Sequence, residues 1–135
     1  MLKISNAAEM AIALSSPLDP ALAHLLEQRR DQLLEHEGYD LGELAHFVVV
    51  APGDTATATE QALGFDPCAN FIDGLRYGED GFEPSWEWIE RHGDWYEAVF
   101  VLSDDGFGSV LLVPDESGVE PTLLSLCNHY GRKIA

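Results

Sequence analysis

The chain has 135 residues, 46% of them hydrophobic, and a formal net charge of −17 from 24 acidic and 7 basic side chains. This is a common size for one domain, with enough apolar material to close a core without a disulfide or metal staple, so a single domain over residues 1–135 is expected. The charge argues against direct contact with nucleic acid or an anionic membrane, since the basic pairs are Arg29-Arg30 and Arg132-Lys133 alone, and it points to a basic partner instead.

Two cysteines, Cys68 and Cys127, are too few for a disulfide framework and read as reduced thiols. The apolar run from Ala7 to Leu14 is broken by Glu9, and is too short and too charged for a signal peptide. No stretch reaches the roughly 18 apolar residues of a membrane span. The expected location is the cytoplasm.

In chain order, Asn6-Ala7-Ala8-Glu9 has capping-box spacing and predicts a helix from Ala7 to Leu14. Asp19-Pro20 predicts a second helix start, with Leu22, Leu25, Leu26 and Leu33 on one face and Gly38 as the stop. Glu27, Asp31 and Glu35 lie opposite the leucines at one-turn intervals. His46 to Ala51 reads as a strand buried on both faces. Asp54 is favoured over Thr57 as the cap of a helix running to Leu63, because its carboxylate suits the helix dipole. Phe65 to Pro84 reads as a long loop, with a short edge strand at Ala69 to Ile72. Ser85 is expected to cap a short helix from Trp86 to His92, stopped by Gly93. Trp95 to Leu102 and Phe107 to Val113 then form a hairpin around Asp105-Gly106, pairing Phe100 with Leu111 and Val99 with Leu112. Pro121 opens a last helix, Thr122 to Tyr130, with Leu123, Leu126, Cys127 and Tyr130 inward and Gly131 as its stop.

Motifs for chemistry are weak. Cys127-Asn128-His129 is too tightly spaced for zinc, and His92 and His46 could join a site only through the fold, so no metal or cofactor is expected. A thiol nucleophile would need a positive environment that this charge opposes, and no catalytic residue is assigned. The segment Phe82 to Glu97 is the most unusual. It interleaves Trp86, Trp88 and Trp95 with Glu83, Glu87, Glu90, Asp94 and Glu97. On a helix Trp86 and Trp88 stand about 200° apart, so one is exposed or the helix lies between two layers.

The stretch from Phe47-Val48-Val49-Val50-Ala51-Pro52-Gly53-Asp54-Thr55, through Trp86 to Trp95, to Val110-Leu111-Leu112-Val113-Pro114 resembles a group of small proteobacterial proteins associated with mobile elements. The resemblance covers roughly residues 44 to 130. That group has no established activity, so it implies a bacterial protein and transfers no functional residue.

The expected fold is α+β: a small, mainly antiparallel sheet of three or four strands, about five helices, and the hairpin near residues 95–113 at its centre. Both faces of that hairpin are mostly apolar, so the sheet should be covered on both sides. The expected function is a non-enzymatic protein-binding module that engages a basic partner, in its sharpest form by imitating the charge of DNA. Its surface would comprise Trp86, Trp88, Glu83, Glu87, Glu90 and Asp94, with the helix row Glu27, Asp31 and Glu35. The alternatives are an enzyme or small-ligand binder using residues 65–84 as a lid, and an acidic domain whose charge serves solubility alone.

Overall fold

The computed structural model describes residues 1–32, 45–75, 88–101 and 108–133. In chain order the elements are β1 (Leu2–Ile4), α1 (Ala7–Ser15), α2 (Pro20–Gln32), β2 (Ala45–Val49), α3 (Ala56–Leu63), α4 (Pro67–Leu75), β3 (Trp88–His92), β4 (Trp95–Val101), β5 (Gly108–Pro114), α5 (Pro121–Tyr130) and the two-residue β6 (Arg132–Lys133). No helix among these residues is long and apolar enough to cross a membrane.

The strands form one open sheet in the order β1-β2-β5-β4-β3-β6. It is α+β as expected, but larger and more mixed. The β1–β2, β5–β4 and β4–β3 pairs are antiparallel, whereas β2–β5 and β3–β6 are parallel. β4 and β5 sit at the centre. Their register pairs Phe100 with Ser109 and Val99 with Val110, a shift of two residues from the two-residue turn expected at Asp105-Gly106. A shift of two keeps every side chain on its face, so the core pattern survives it.

Helices cover both faces. On one, Met10 and Ala13 of α1 and Leu22, Leu25 and Leu26 of α2 pack on Phe47, Val49, Trp95, Val99, Val110 and Leu112. On the other, Leu63 of α3, Phe71 of α4 and Leu123, Leu126 and Cys127 of α5 pack on Val48, Val50, Ile89, Phe100, Leu111 and Val113. Successive residues of β2 and β5 alternate between the two clusters, which is why those strands read as unbroken apolar runs.

Helix starts follow side-chain caps. Asn6 Oδ1 accepts from Glu9 N at 2.8 Å, and Asp19 Oδ1 accepts from Ala21 N at 3.0 Å. The cap of α3 is Thr55, whose Oγ1 accepts from Ala58 N at 3.1 Å, and not Asp54. Asp54 instead closes the preceding turn by accepting from Ala51 N at 2.8 Å, and meets the N-terminal ammonium at 3.3 Å. Its carboxylate is therefore already engaged.

Two expected elements change type. Ala69 to Ile72 is not an edge strand but the middle of α4. Asp66 Oδ1 caps that helix by accepting from Cys68 N and Ala69 N at 3.0 and 3.3 Å, with Pro67 as its first residue. Trp88 to His92 is strand β3 rather than the end of a helix. Gly93 and Asp94 connect β3 to β4, and Gly93 takes φ +63°, a conformation that favours glycine. Leu33, Gly38 and the Asp105-Gly106 turn lie outside the described residues.

Candidate functional site

The tight β3–β4 turn fixes which side chains meet. Trp88 pairs with Val99, Glu90 with Glu97 and His92 with Trp95. With a period of two, all six belong to the sheet face covered by α2. Two carboxylates directly opposite each other repel, and Glu97 is almost fully buried at 3% exposure. Such a pair persists only where cations offset it.

Arg29 supplies the first offset. It continues the α2 stripe of Leu22, Leu25 and Leu26 at helical spacing and so points at the sheet. Its Nη2 donates to Glu97 Oε1 at 2.5 Å and its Nε donates to Oε2 at 3.3 Å, a two-pronged contact. The guanidinium also lies 5.7 Å over the Trp88 ring.

His92 stands beside both carboxylates. Its Nε2 lies 3.3 Å from Glu90 Oε2 and 3.8 Å from Glu97 Oε1. Neither contact has hydrogen-bond geometry. Nε2 is inaccessible to solvent and has no hydrogen-bond partner among the described residues, and the same holds for Trp88 Nε1. One donor atom each from Glu90, His92 and Glu97 falls within a 4.8 Å cluster, a set with the chemistry to hold a cation. Nearby, Trp95 Nε1 donates to Asp19 Oδ2 at 3.0 Å, so the cap of α2 is tied to the same strand.

On the opposite face, Tyr96 donates to Asn128 and accepts from Arg91 at 2.9 Å, and Arg91 pairs with Asp115 at 2.8 Å. His46 lies 3.1 Å from the buried Ser109 hydroxyl. Burial, reinforced by Lys3, holds the His46 imidazole below its ordinary pKa. The cysteines are poor nucleophiles. Burial, with Asp66 and Glu120 adding to it, pushes the Cys68 thiol up to about 11, and burial raises Cys127 to about 12.

The residues expected to form a binding surface divide. Glu27 and Asp31 are exposed on α2, with Asp31 paired to Arg30 at 3.0 Å, and Asp94 is exposed in the β3–β4 turn. Glu90 is partly buried in the His92 cluster. Trp88 is half-buried against the core, and the argument from helical angles does not apply to it because it lies on a strand. Glu35, Glu83, Trp86 and Glu87 lie outside the described residues. The first part of the expected lid is packed structure: Phe65 meets Phe100 edge-on at 5.2 Å, and Phe71 is buried. Residues 76–84 lie outside the described set.

Sequence reasoning missed Arg29 and Glu97 as a pair. The signal was present, as one arginine on an apolar helix stripe and one glutamate inside the apolar run from Trp95 to Val101. Each is the charged exception that the other explains.

No protein-family model matches the chain, and neither the curated proteins nor the solved structures contain a match.

Proposed function

We propose that this chain is a non-enzymatic, acidic protein-binding module that engages a basic partner. The observation that carries the reading is how its charges are spent. Arg29, Arg30 and Arg91 are each paired with a carboxylate of the same chain, on Glu97, Asp31 and Asp115. Glu27, Glu60, Asp94 and Glu116 stand exposed at the surface. With 24 acidic against 7 basic side chains the outward field is strongly negative, and such a field steers basic partners.

A DNA-like arrangement is the narrower form of this proposal. Glu27 and Asp31 are one turn apart, about 6 Å along the helix axis. Duplex DNA carries a charge every ~1.7 Å, so this row alone is too sparse by a factor of about three. Asp31 is moreover partly neutralised by Arg30. A general acidic face therefore accounts for the charges better than a strict imitation.

The test is retention of a basic protein on the immobilised chain during a salt titration, repeated with Glu27→Lys/Asp94→Lys. The expected result is retention at low salt, release as salt rises, and weaker retention by the charge-reversed variant. No retention at low salt, or retention indifferent to both salt and charge reversal, overturns the reading.

A further inference from the structure

We propose that Glu90, His92 and Glu97 form a binding site for a divalent transition ion of the zinc type. The inference is separate from the basic-partner reading and does not depend on it.

The donor set is specific. It is one imidazole nitrogen and two carboxylates, a mixture that suits zinc and its neighbours better than magnesium or calcium, which take oxygen ligands throughout. The spacing also fits. An ion held at about 2.0–2.1 Å in tetrahedral geometry places its ligand atoms about 3.3–3.4 Å apart. His92 Nε2 lies 3.3 Å from Glu90 Oε2 and 3.8 Å from Glu97 Oε1, and one donor atom from each of the three residues falls within 4.8 Å of the others.

A second observation is independent of the acids. His92 Nε2 is shielded from solvent, lies within 4 Å of both carboxylates and makes no hydrogen bond with any described residue. A buried polar atom in that state costs free energy, and an ion coordinated by its lone pair satisfies it. Glu97 is held in place by Arg29, as ligating carboxylates commonly are by an outer partner. The formal charges of Arg29 and the two glutamates sum to −1, which draws a cation. Glu90 and His92 remain partly exposed, at 29% and 24%, and give the ion a way in. Three protein ligands leave a fourth position for water.

The test uses the full chain, stripped with a chelator and titrated with Zn²⁺ by calorimetry and with Co²⁺ by visible absorption. The expected result is one equivalent bound, with the intense visible bands of tetrahedral Co²⁺. Glu90→Gln and His92→Gln should each weaken binding at least tenfold, while His129→Gln, on exposed helix surface, leaves it unchanged. Glu90→Gln also relieves a like-charge pair, so it reports on binding even if His92→Gln fails to fold. Absence of the Co²⁺ bands overturns the proposal. So does binding that survives Glu90→Gln, which would mean diffuse capture by surface acids.

Discussion

Substituting Arg29 with methionine keeps most of the side-chain length and removes the charge that faces Glu97. Glu97 is 3% exposed and Arg29 16%, so water is largely excluded from the pair. At an effective dielectric constant of about 20, unit charges about 4 Å apart attract by about 4 kcal/mol. Removing one partner of a buried pair typically costs about 3–5 kcal/mol, because the remaining charge is left without compensation. An unfolding entropy of about 2.1 cal/mol/K per residue amounts to roughly 0.28 kcal/mol/K for this chain, so the thermal midpoint should fall by about 10–18 °C. The assay is urea and thermal unfolding of Arg29→Met, Glu97→Gln and the double variant, followed by circular dichroism and tryptophan fluorescence. The double variant should recover about 2 kcal/mol relative to the sum of the single losses, since the orphaned carboxylate is gone. A single-variant loss below about 1 kcal/mol, typical of an exposed pair, would refute the reasoning. So would strict additivity.

Gly131→Ala should destabilise the protein by about 1–3 kcal/mol, as overpacking does. Its Cβ would lie 2.5 Å from the Cys127 carbonyl oxygen and 2.7 Å from the Tyr96 ring, and a midpoint within error of the parent would contradict that geometry. The thiol of Cys127 titrates near 12 in the folded chain against an ordinary value of 9.0, so the unfolded chain ionises first. Stability from this group is intact below about pH 9 and declines as pH rises towards 12, and Cys127→Ala should show a shallower decline in a midpoint-against-pH series. His46 behaves in the opposite sense. Its folded pKa lies below 6.5, so its contribution is present above that pH and is lost as pH falls through the folded value. NMR titration of the imidazole resonances should give a midpoint under 6.5, and a midpoint at or above it would contradict the burial of His46 beside Lys3.

Much of this fold was legible where local chemistry and tertiary context agree. The caps Asn6 and Asp19, the buried run of β2, the two central strands and the start of α5 at Pro121 all follow from short-range rules. The errors arose where two local signals compete. Asp66-Pro67 carries the same helix-opening signature as Asp19-Pro20, but Gly74 and the glycines beyond it suggested a loop. Gly93-Asp94 has the composition of a hairpin turn, and β3 alternates Trp88, Glu90 and His92 against Ile89 and Arg91. Ser85 and Gly93 read equally well as the two ends of a short helix. Pairing with β4 decides for the strand, and pairing is a long-range property. The cluster of Glu90, His92, Glu97 and Arg29 was illegible for the same reason: strand register and a helix 68 positions away in sequence assemble it.

The parallel seam between β2 and β5 has a consequence for how the chain finds its fold. It joins Phe47 to Val110 and Val49 to Leu112, residues more than sixty positions apart, whereas β3, β4, β5 and α5 follow one another closely. Closing so long a loop is entropically slow, and local pairings form sooner. The expected sequence of events is that the β3–β4–β5 meander and α5 assemble first, and that the N-terminal segment, β1 to β2 with its two helices, docks onto the open edge of β5 afterwards. Until it does, that edge presents unpaired backbone and the apolar face under α2 lies bare. The nascent chain is then most open to strand-to-strand association with its neighbours, and substitutions that weaken the N-terminal segment should show up as aggregation before they show up as lost secondary structure.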